Sequence, residues 1–237
     1  MTTTPVIPEH LRPWSVPWPD YAPIDITPPE LQPEGIAASV REGWAEPATD
    51  PRAIDYGPRQ AVALLPYTVA DGLPLNPAGR TGRCGRNLGR WGENAAADPI
   101  VIAATPDGPH VLLIRRSDCG HWAVPGGMVD PGETAPAALV RELAEETGVD
   151  LADVTPTILM RTYVDDPRAS DHAWVCSTVA LFRVSAPLPA TAADDAIDAR
   201  WVPCADMDTL TRDLAAAGAV LYEAHRPLLM AALRHGH

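Results

Sequence analysis

Three glutamates, Glu142, Glu145 and Glu146, stand at i, i+3 and i+4 in the segment from Ala135 to Thr147. That spacing puts their carboxylates on one face of a helix. Like charges so placed cost about 0.2–0.5 kcal/mol per pair, and acids in a last turn also meet the negative end of the helix dipole. With no Lys or Arg expected on that face, a cation has to come from elsewhere. Oxygen donors alone suit a hard divalent ion, Mg²⁺ or Mn²⁺, better than zinc. Just upstream, Gly126-Gly127 would let a backbone carbonyl approach such an ion, and Asp130-Pro131-Gly132 makes a turn. Glu133 and Arg141 are spaced to brace that loop against the helix, in a structural role. Taken bare, the same three acids would also make an ordinary solvated face.

The elements that must position these groups follow from pattern. Pro136 in the first turn and Gly148 as the stop predict a helix over Ala135 to Thr147, with Leu139, Val140, Leu143 and Ala144 forming its apolar arc. Ile100 to Ala104, the turn Pro106-Asp107-Gly108 and Val111 to Arg115 read as a β-hairpin. Further strands are predicted at Trp122 to Val124, Thr157 to Val164, Ala173 to Val184 and Ala199 to Val202, and a tail helix over Leu221 to Leu233. Strands on both sides of a helix imply a mixed sheet covered by helices. Ahead of this part, Ala61 to Leu65 and Tyr67 to Ala70 are strand-like, and nine of the first 33 residues are proline, with Trp14, Trp18 and Tyr21 among them. Such an arm is extended, and its aromatics favour docking over disorder.

The organisation expected is a proline-rich arm with a small N-terminal domain (1–75), a Gly/Arg-rich connecting loop (76–97) and a main domain (98–237). The loop carries Arg80, Arg83, Arg86 and Arg90 among five glycines; it reads either as a solvated connector or as an anion-binding stretch.

Composition narrows the chemistry. The 237 residues include 18 basic and 31 acidic side chains, a net charge of −13, and every basic residue other than histidine is arginine. Schiff-base, P-loop and kinase-type lysines are therefore excluded. So acidic a chain repels polyanions, and no nucleic-acid partner is expected. No apolar run approaches the roughly 18 residues of a membrane span. Cys84, Cys119, Cys176 and Cys204 are scattered, without a C-x-x-C pair. The opening MTTTPVIPEH lacks a basic and an apolar region, so a cytoplasmic location is expected.

Gly127, Glu133, Arg141-Glu142, Leu143, Glu145-Glu146, Gly148 and Val149 reproduce G-x5-E-x7-R-E-U-x-E-E-x-G-U. This resembles the Nudix box without a departure. The resemblance implies an α/β/α sandwich with a mixed sheet, here preceded by a small proline-rich β-containing domain, and Mg²⁺-dependent hydrolysis of nucleoside diphosphates linked to another moiety. It implies that Glu142, Glu145 and Glu146 hold the metal and do the catalytic work, with the Gly127 carbonyl as a further ligand. Glu142 is the first candidate for the general base; Asp194 and Asp195 are weaker ones, equally readable as a polar turn.

The segments NPAGRTG, GRWG-x-N, ADPI, DCG-x-WA-x-PGGMVDPGE, DDPR-x-x-D-x-AW and LY-x-x-H are similar to the ADP-ribose pyrophosphatase branch of that family, which includes the ligand domain of a melastatin-type channel. That similarity implies ADP-ribose as substrate, with AMP and ribose 5-phosphate as products. It places Asp166 and Arg168 at the distal ribose, Tyr222 and His225 in the same pocket, and Trp122 near the nucleotide. Read alone, Asp166-Pro167-Arg168 is equally an ordinary turn, Tyr222 and His225 helix contacts, and Trp122 a core residue. NADH or another ADP-sugar is the alternative substrate, and a non-catalytic ADP-ribose sensor the alternative class.

Overall fold

The helix that carries the three glutamates is closed at both ends by local chemistry. In the computed structural model, which describes residues 6–235, it spans Ala135–Thr147 as predicted. Thr134 caps its N-terminus by accepting from the Ala137 N–H. Gly148 ends it in the left-handed region at φ 69°, donating to the Ala144 carbonyl. The first five residues of the arm and the last two of the chain lie outside the described residues.

The described residues contain eleven strands and five α-helices in the order β1 (Ile24–Asp25), α1 (Ile36–Arg41), α2 (Gly57–Val62), β2 (Thr68–Ala70), β3 (Leu73–Leu75), β4 (Arg83–Cys84), β5 (Gly92–Ala103), β6 (His110–Arg116), β7 (Trp122–Ala123), β8 (Gly127–Met128), α3 (Ala135–Thr147), β9 (Thr157–Val164), β10 (Ala173–Val184), β11 (Ala196–Pro203), α4 (Met207–Ala216) and α5 (Arg226–Arg234). The chain divides into two compact units, residues 1–95 with 162–176, and residues 96–161 with 177–237.

In the second unit the layers follow from side-chain alternation. A mixed sheet runs in the order β11-β6-β5-β10-β9, with β7 beside β6 and β8 beside β5. Ile100, Ile102, Val111, Leu113, Val179 and Leu181 point into one buried cluster with Leu210 and Leu214 of α4 and Leu228 and Leu229 of α5. The intervening Val101, Leu112, Ala180 and Phe182 point into another, with Ala138, Leu139 and Leu143 of α3. Period-two alternation thus feeds both faces of one sheet, and the helices cover each face. The architecture is an α/β/α sandwich.

The first unit contains the parallel pair β1–β4 and the hairpin β2–β3. Its arm is held by polar contacts. Arg80, 7% exposed, donates to the carbonyls of Leu11, Pro13 and Val16 and lies over the rings of Trp14 and Tyr21. Arg86 is fully buried, donates to the carbonyls of Glu46 and Gly89, and lies over Trp91. These two arginines, expected to be solvated or anion-binding, are therefore spent on protein carbonyls. A proline-rich segment offers acceptors without the matching N–H donors, and a guanidinium supplies them.

Two expectations are corrected, and one helix was missed. Ala61 to Leu65 is not a strand: Ala61 and Val62 end α2, which Pro58 helps to start, and the Leu64 and Leu65 N–H groups donate to the Glu93 carboxylate instead of a ladder. The tail helix begins at Arg226, because residues 221–225 form a bridge to Trp122 and a 3₁₀ turn ahead of Pro227. Helix α4 was not foreseen, although Asp206 caps it at the Thr209 N–H and Leu210 and Leu214 repeat at helical spacing. Among the described residues no helix is long and apolar enough to cross a membrane.

Replacing Arg80 by Ala leaves three carbonyls without a charged donor, at about 1.5–3 kcal/mol for such a bond. Limited chymotrypsin digestion is expected to cut Arg80→Ala after Trp14 roughly ten-fold or more faster than wild type, with the second unit intact. Equal cleavage rates would show that Arg80 does not hold the arm.

Candidate active site

The acidic face of α3 lies against the glycine turn that leads into β8, the neighbour of β5. Ala97 on β5 pairs with Gly127 on β8, and the preceding Gly126 has φ 149°. A Cβ on Gly126 would come within 2.6 Å of the Ala97 carbonyl and of an Asp98 carboxylate oxygen, so only glycine passes there. Its N–H donates to Glu146 at 2.8 Å. A Cβ on Gly127 would lie 2.6 Å from both carboxylate oxygens of Glu142. The glycines thus let two carboxylates of α3 press against backbone.

Arg141 organises the remainder. It donates through Nε and Nη2 to both oxygens of Glu133 at 2.9 and 2.8 Å, and through Nη2 to the Met128 carbonyl at 2.9 Å. Glu133 in turn accepts from the Asp130 N–H. This is the brace of loop against helix expected from sequence. Arg141 also reaches Glu142 at 2.8 Å and Glu145 at 2.9 Å through Nη1. The expectation that no basic side chain compensates the acidic face is therefore corrected. Arg141 and Glu145 are an i,i+4 pair, and the long side chain folds back over its neighbour Glu142 as well.

The three glutamates are not equivalent. Glu142 and Glu146 are buried, whereas Glu145 is exposed. Loss of hydration pushes the Glu142 carboxyl up to about 7 against the pull of Arg141. Burial pushes Glu146 up to about 8, opposed by the Gly126 N–H and assisted by the charges of Glu142 and Asp195. Among the described residues no three His, Cys, Asp or Glu side chains are gathered as a ready metal cluster, and the Arg141 guanidinium bridges Glu142 and Glu145. The donor set itself suits a hard divalent ion: all of it is oxygen, and two of its carboxylates are withdrawn from water.

The other expected residues fall into two groups. In the first unit, Asp166 is buried and its carboxylate accepts from Arg168 at 2.9 Å (Nε) and 2.6 Å (Nη2). In the second unit, the Tyr222 and His225 rings meet edge to face at 5.1 Å. His225 is buried, and its Nδ1 accepts from the Val124 N–H, which leaves the neutral ring's proton on Nε2. Burial lowers its pKa further. Trp122 is 4% exposed within the apolar cluster, with the Arg200 guanidinium 4.6 Å above its ring. A ring so covered leaves little of its face open to solvent. Its carbonyl accepts from the Tyr222 N–H at 2.7 Å. Asp194 and Asp195 form the turn before β11, with Asp194 at φ 52°.

Sequence reasoning passed over Arg116, whose guanidinium lies 5.0 Å over the Tyr222 ring. It also gave no role to Asp98, which accepts a short hydrogen bond from the Ser177 hydroxyl and bears on His225. Arg116 closes a strand as an ordinary surface arginine would, and nothing in its spacing sets it apart.

Two family models match the chain. The NUDIX domain covers residues 95–230, and a NUDT9-like N-terminal domain covers residues 7–92. The chain belongs to the Nudix family. It is 37% identical over 219 residues to nudix hydrolase 6 of Caenorhabditis elegans, covering 83% of this chain and 81% of that one. It is 34% identical over 247 residues to the mitochondrial ADP-ribose pyrophosphatase of Rattus norvegicus, covering 84% and 68%. A transient receptor potential cation channel subfamily M member-like 2 of Nematostella vectensis is 33% identical over 237 residues, covering 81% of this chain and 15% of the channel. The Nudix box residues come from β8, the turn after it, α3 and the two residues that follow α3.

A carboxyl whose pKa rises on folding holds its proton more tightly in the folded state. Folding is then favoured below the ordinary carboxylate range and loses ground as pH rises through the raised values, here about 7 and about 8. Without divalent ions the melting temperature is expected to fall between about pH 5 and about pH 8.5, and Mg²⁺ to raise it more at the upper end. A flat profile, or an unchanged slope in Glu146→Gln, would overturn this assignment.

Proposed function

We propose that this protein hydrolyses the diphosphate bond of ADP-ribose to AMP and ribose 5-phosphate, with Mg²⁺ or Mn²⁺ as cofactor. The observation that carries the reading is a complete Nudix box whose Glu142 and Glu146 are desolvated against a two-glycine turn. The substrate is supported by 34% identity to a protein named ADP-ribose pyrophosphatase.

Glu142, Glu145, Glu146 and the Gly127 carbonyl would hold the cation. When bound, a divalent ion neutralises charge on the phosphoryl oxygens and assists attack by water. The protein's own share is positioning and proton transfer. Hydrolysis adds a water oxygen to one phosphorus, breaks the bridging P–O bond, and releases a proton that a base must take. Glu142 is that base in this reading, a carboxylate held against the Gly127 backbone. Asp194 and Asp195 are the lesser alternatives. Glu133 and Arg141 keep the turn seated on α3 and act by position.

For the substrate, Asp166 offers acceptors to ribose hydroxyls and Arg168 a positive charge, each already aligned by their mutual pairing. Tyr222 and His225 offer an aromatic face and an Nε2–H donor. Trp122 contributes through the backbone that seats Tyr222. A reducing, cytoplasmic compartment goes with this reading, since Cys84, Cys119, Cys176 and Cys204 are free thiols. A ligand sensor is the second reading, favoured by the likeness to a cation channel.

ADP-ribose with Mg²⁺ in ¹⁸O-water is expected to yield AMP and ribose 5-phosphate, with label in one product marking the phosphorus attacked. Saturable binding without turnover would favour the sensor, and faster turnover of NADH or another ADP-sugar would reassign the substrate. Glu145→Gln with Glu146→Gln is expected to keep the fold and lower kcat by about 100-fold or more; near-wild-type turnover would refute the metal assignment. Arg168→Ala is expected to raise KM for ADP-ribose more than for ADP-glucose, and equal effects would count against its role at the ribose.

A further inference from the structure

Asp98 is a buried acid of the second unit to which the chemistry above gives no role. It stands on β5 directly after Ala97, the residue that pairs with Gly127, and is 6% exposed. Alternation along β5 turns Ala97 toward α3 and Ile100 toward α4 and α5, so Asp98 shares the face of Ile100. Ser177, on the neighbouring strand β10, is fully buried, and its hydroxyl donates to Asp98 Oδ2. That bond fixes the carboxylate.

The other oxygen, Oδ1, faces the glycine turn. A Cβ on Gly126 would meet Asp98 Oδ1 and the Ala97 carbonyl oxygen at 2.6 Å each, and the Asp98 Cα at 3.1 Å. The carboxylate therefore packs against the Gly126 backbone. From that backbone the Gly126 N–H reaches Glu146 at 2.8 Å, and the next residue, Gly127, lies against both carboxylate oxygens of Glu142. A continuous line of contacts runs from Ser177 through Asp98 and Gly126 to Glu146. Gly126, at φ 149°, has no side chain to anchor so open a conformation, and its place has to be set by what surrounds it.

We propose that Asp98, fixed by Ser177, is a positioning residue for the metal site: its carboxylate backs the turn, so that the Gly126 N–H meets Glu146 and Gly127 is held against Glu142. The proposal rests on the reading of these glutamates as metal ligands. Asp98 acts through the turn and not as a ligand itself. The contrasting account makes the Asp98–Ser177 pair a polar staple between β5 and β10, with a cost in stability alone.

The test uses the full chain with Mn²⁺ alone as the probe, and compares wild type with Asp98→Ala, Asp98→Asn and Ser177→Ala. Unbound Mn²⁺, counted by electron paramagnetic resonance, gives the affinity of the substrate-free protein. Residues that hold metal ligands in place are worth about 10- to 100-fold in affinity, and Asp98→Ala is expected to lose about 10-fold or more. Asp98→Asn keeps the shape and an acceptor for Ser177, and should stay within about three-fold of wild type. Equal losses in Asp98→Ala and Asp98→Asn would make the negative charge itself the active feature and overturn the positioning role, as would unchanged binding in Asp98→Ala. Amide hydrogen exchange, read residue by residue by NMR, separates the turn from the fold. In Asp98→Ala the Gly126 N–H is expected to exchange about ten-fold or more faster, while the Gly148 N–H, bonded to Ala144 at the end of α3, keeps its wild-type rate. Equal acceleration of both amides would reduce the pair to a staple. If Asp98→Ala does not fold, as judged by circular dichroism, Ser177→Ala takes its place in both comparisons. Should wild type fail to bind Mn²⁺, the metal reading falls, while the exchange of Gly126 against Gly148 still decides whether Asp98 seats the turn.

Discussion

Two carboxylates withdrawn from water and pressed against a glycine turn are the interaction on which the site depends. Burying an anionic group is costly unless charge or hydrogen bonds offset the lost hydration. Here Glu146 has one backbone N–H and Glu142 shares one guanidinium, and burial still lifts both well above ordinary values. The arrangement persists because the rest of the unit holds it. Leu139 and Leu143 anchor α3 to one face of the sheet, and the absence of a Cβ at Gly126 and Gly127 allows the approach. Such an energetically tense region is where function is expected, since a cation that relieves the tension is bound in proportion.

Arg141 turns the Nudix box from a list of acids into a poised structure. It links the loop to the helix through Glu133 and also moderates the two carboxylates nearest to it. One side chain thereby couples the position of the glycine turn to the electrostatics of the acidic face. The helix remains stable with its like charges because a guanidinium on the same surface offsets them.

The two units use arginine for different ends. In the first, Arg80 is a structural donor to carbonyls of the proline-rich arm, and Arg86 to the carbonyls of Glu46 and Gly89. In the second, Arg116 is oriented by an acid and an aromatic ring with donor capacity to spare. Composition treats all of these alike, and burial and partners separate them.

Local rules made α3, β9 and β10 readable to the residue, because caps, turn residues and apolar period act over a few positions. The box was legible for the same reason: its glycines and glutamates occupy one continuous stretch of 23 residues from Gly127 to Val149. What the sequence did not disclose depends on residues far apart in the chain. The burial of Trp122 beneath Arg200, the pairing of Asp98 with Ser177 and the placing of Arg116 over Tyr222 all arise only when the strands pair and the helices close over the sheet. Sequence alone determined which groups are the candidates for the chemistry. Tertiary packing decided how far each lost its water and which charge it faced, and those two quantities set a carboxylate's proton affinity.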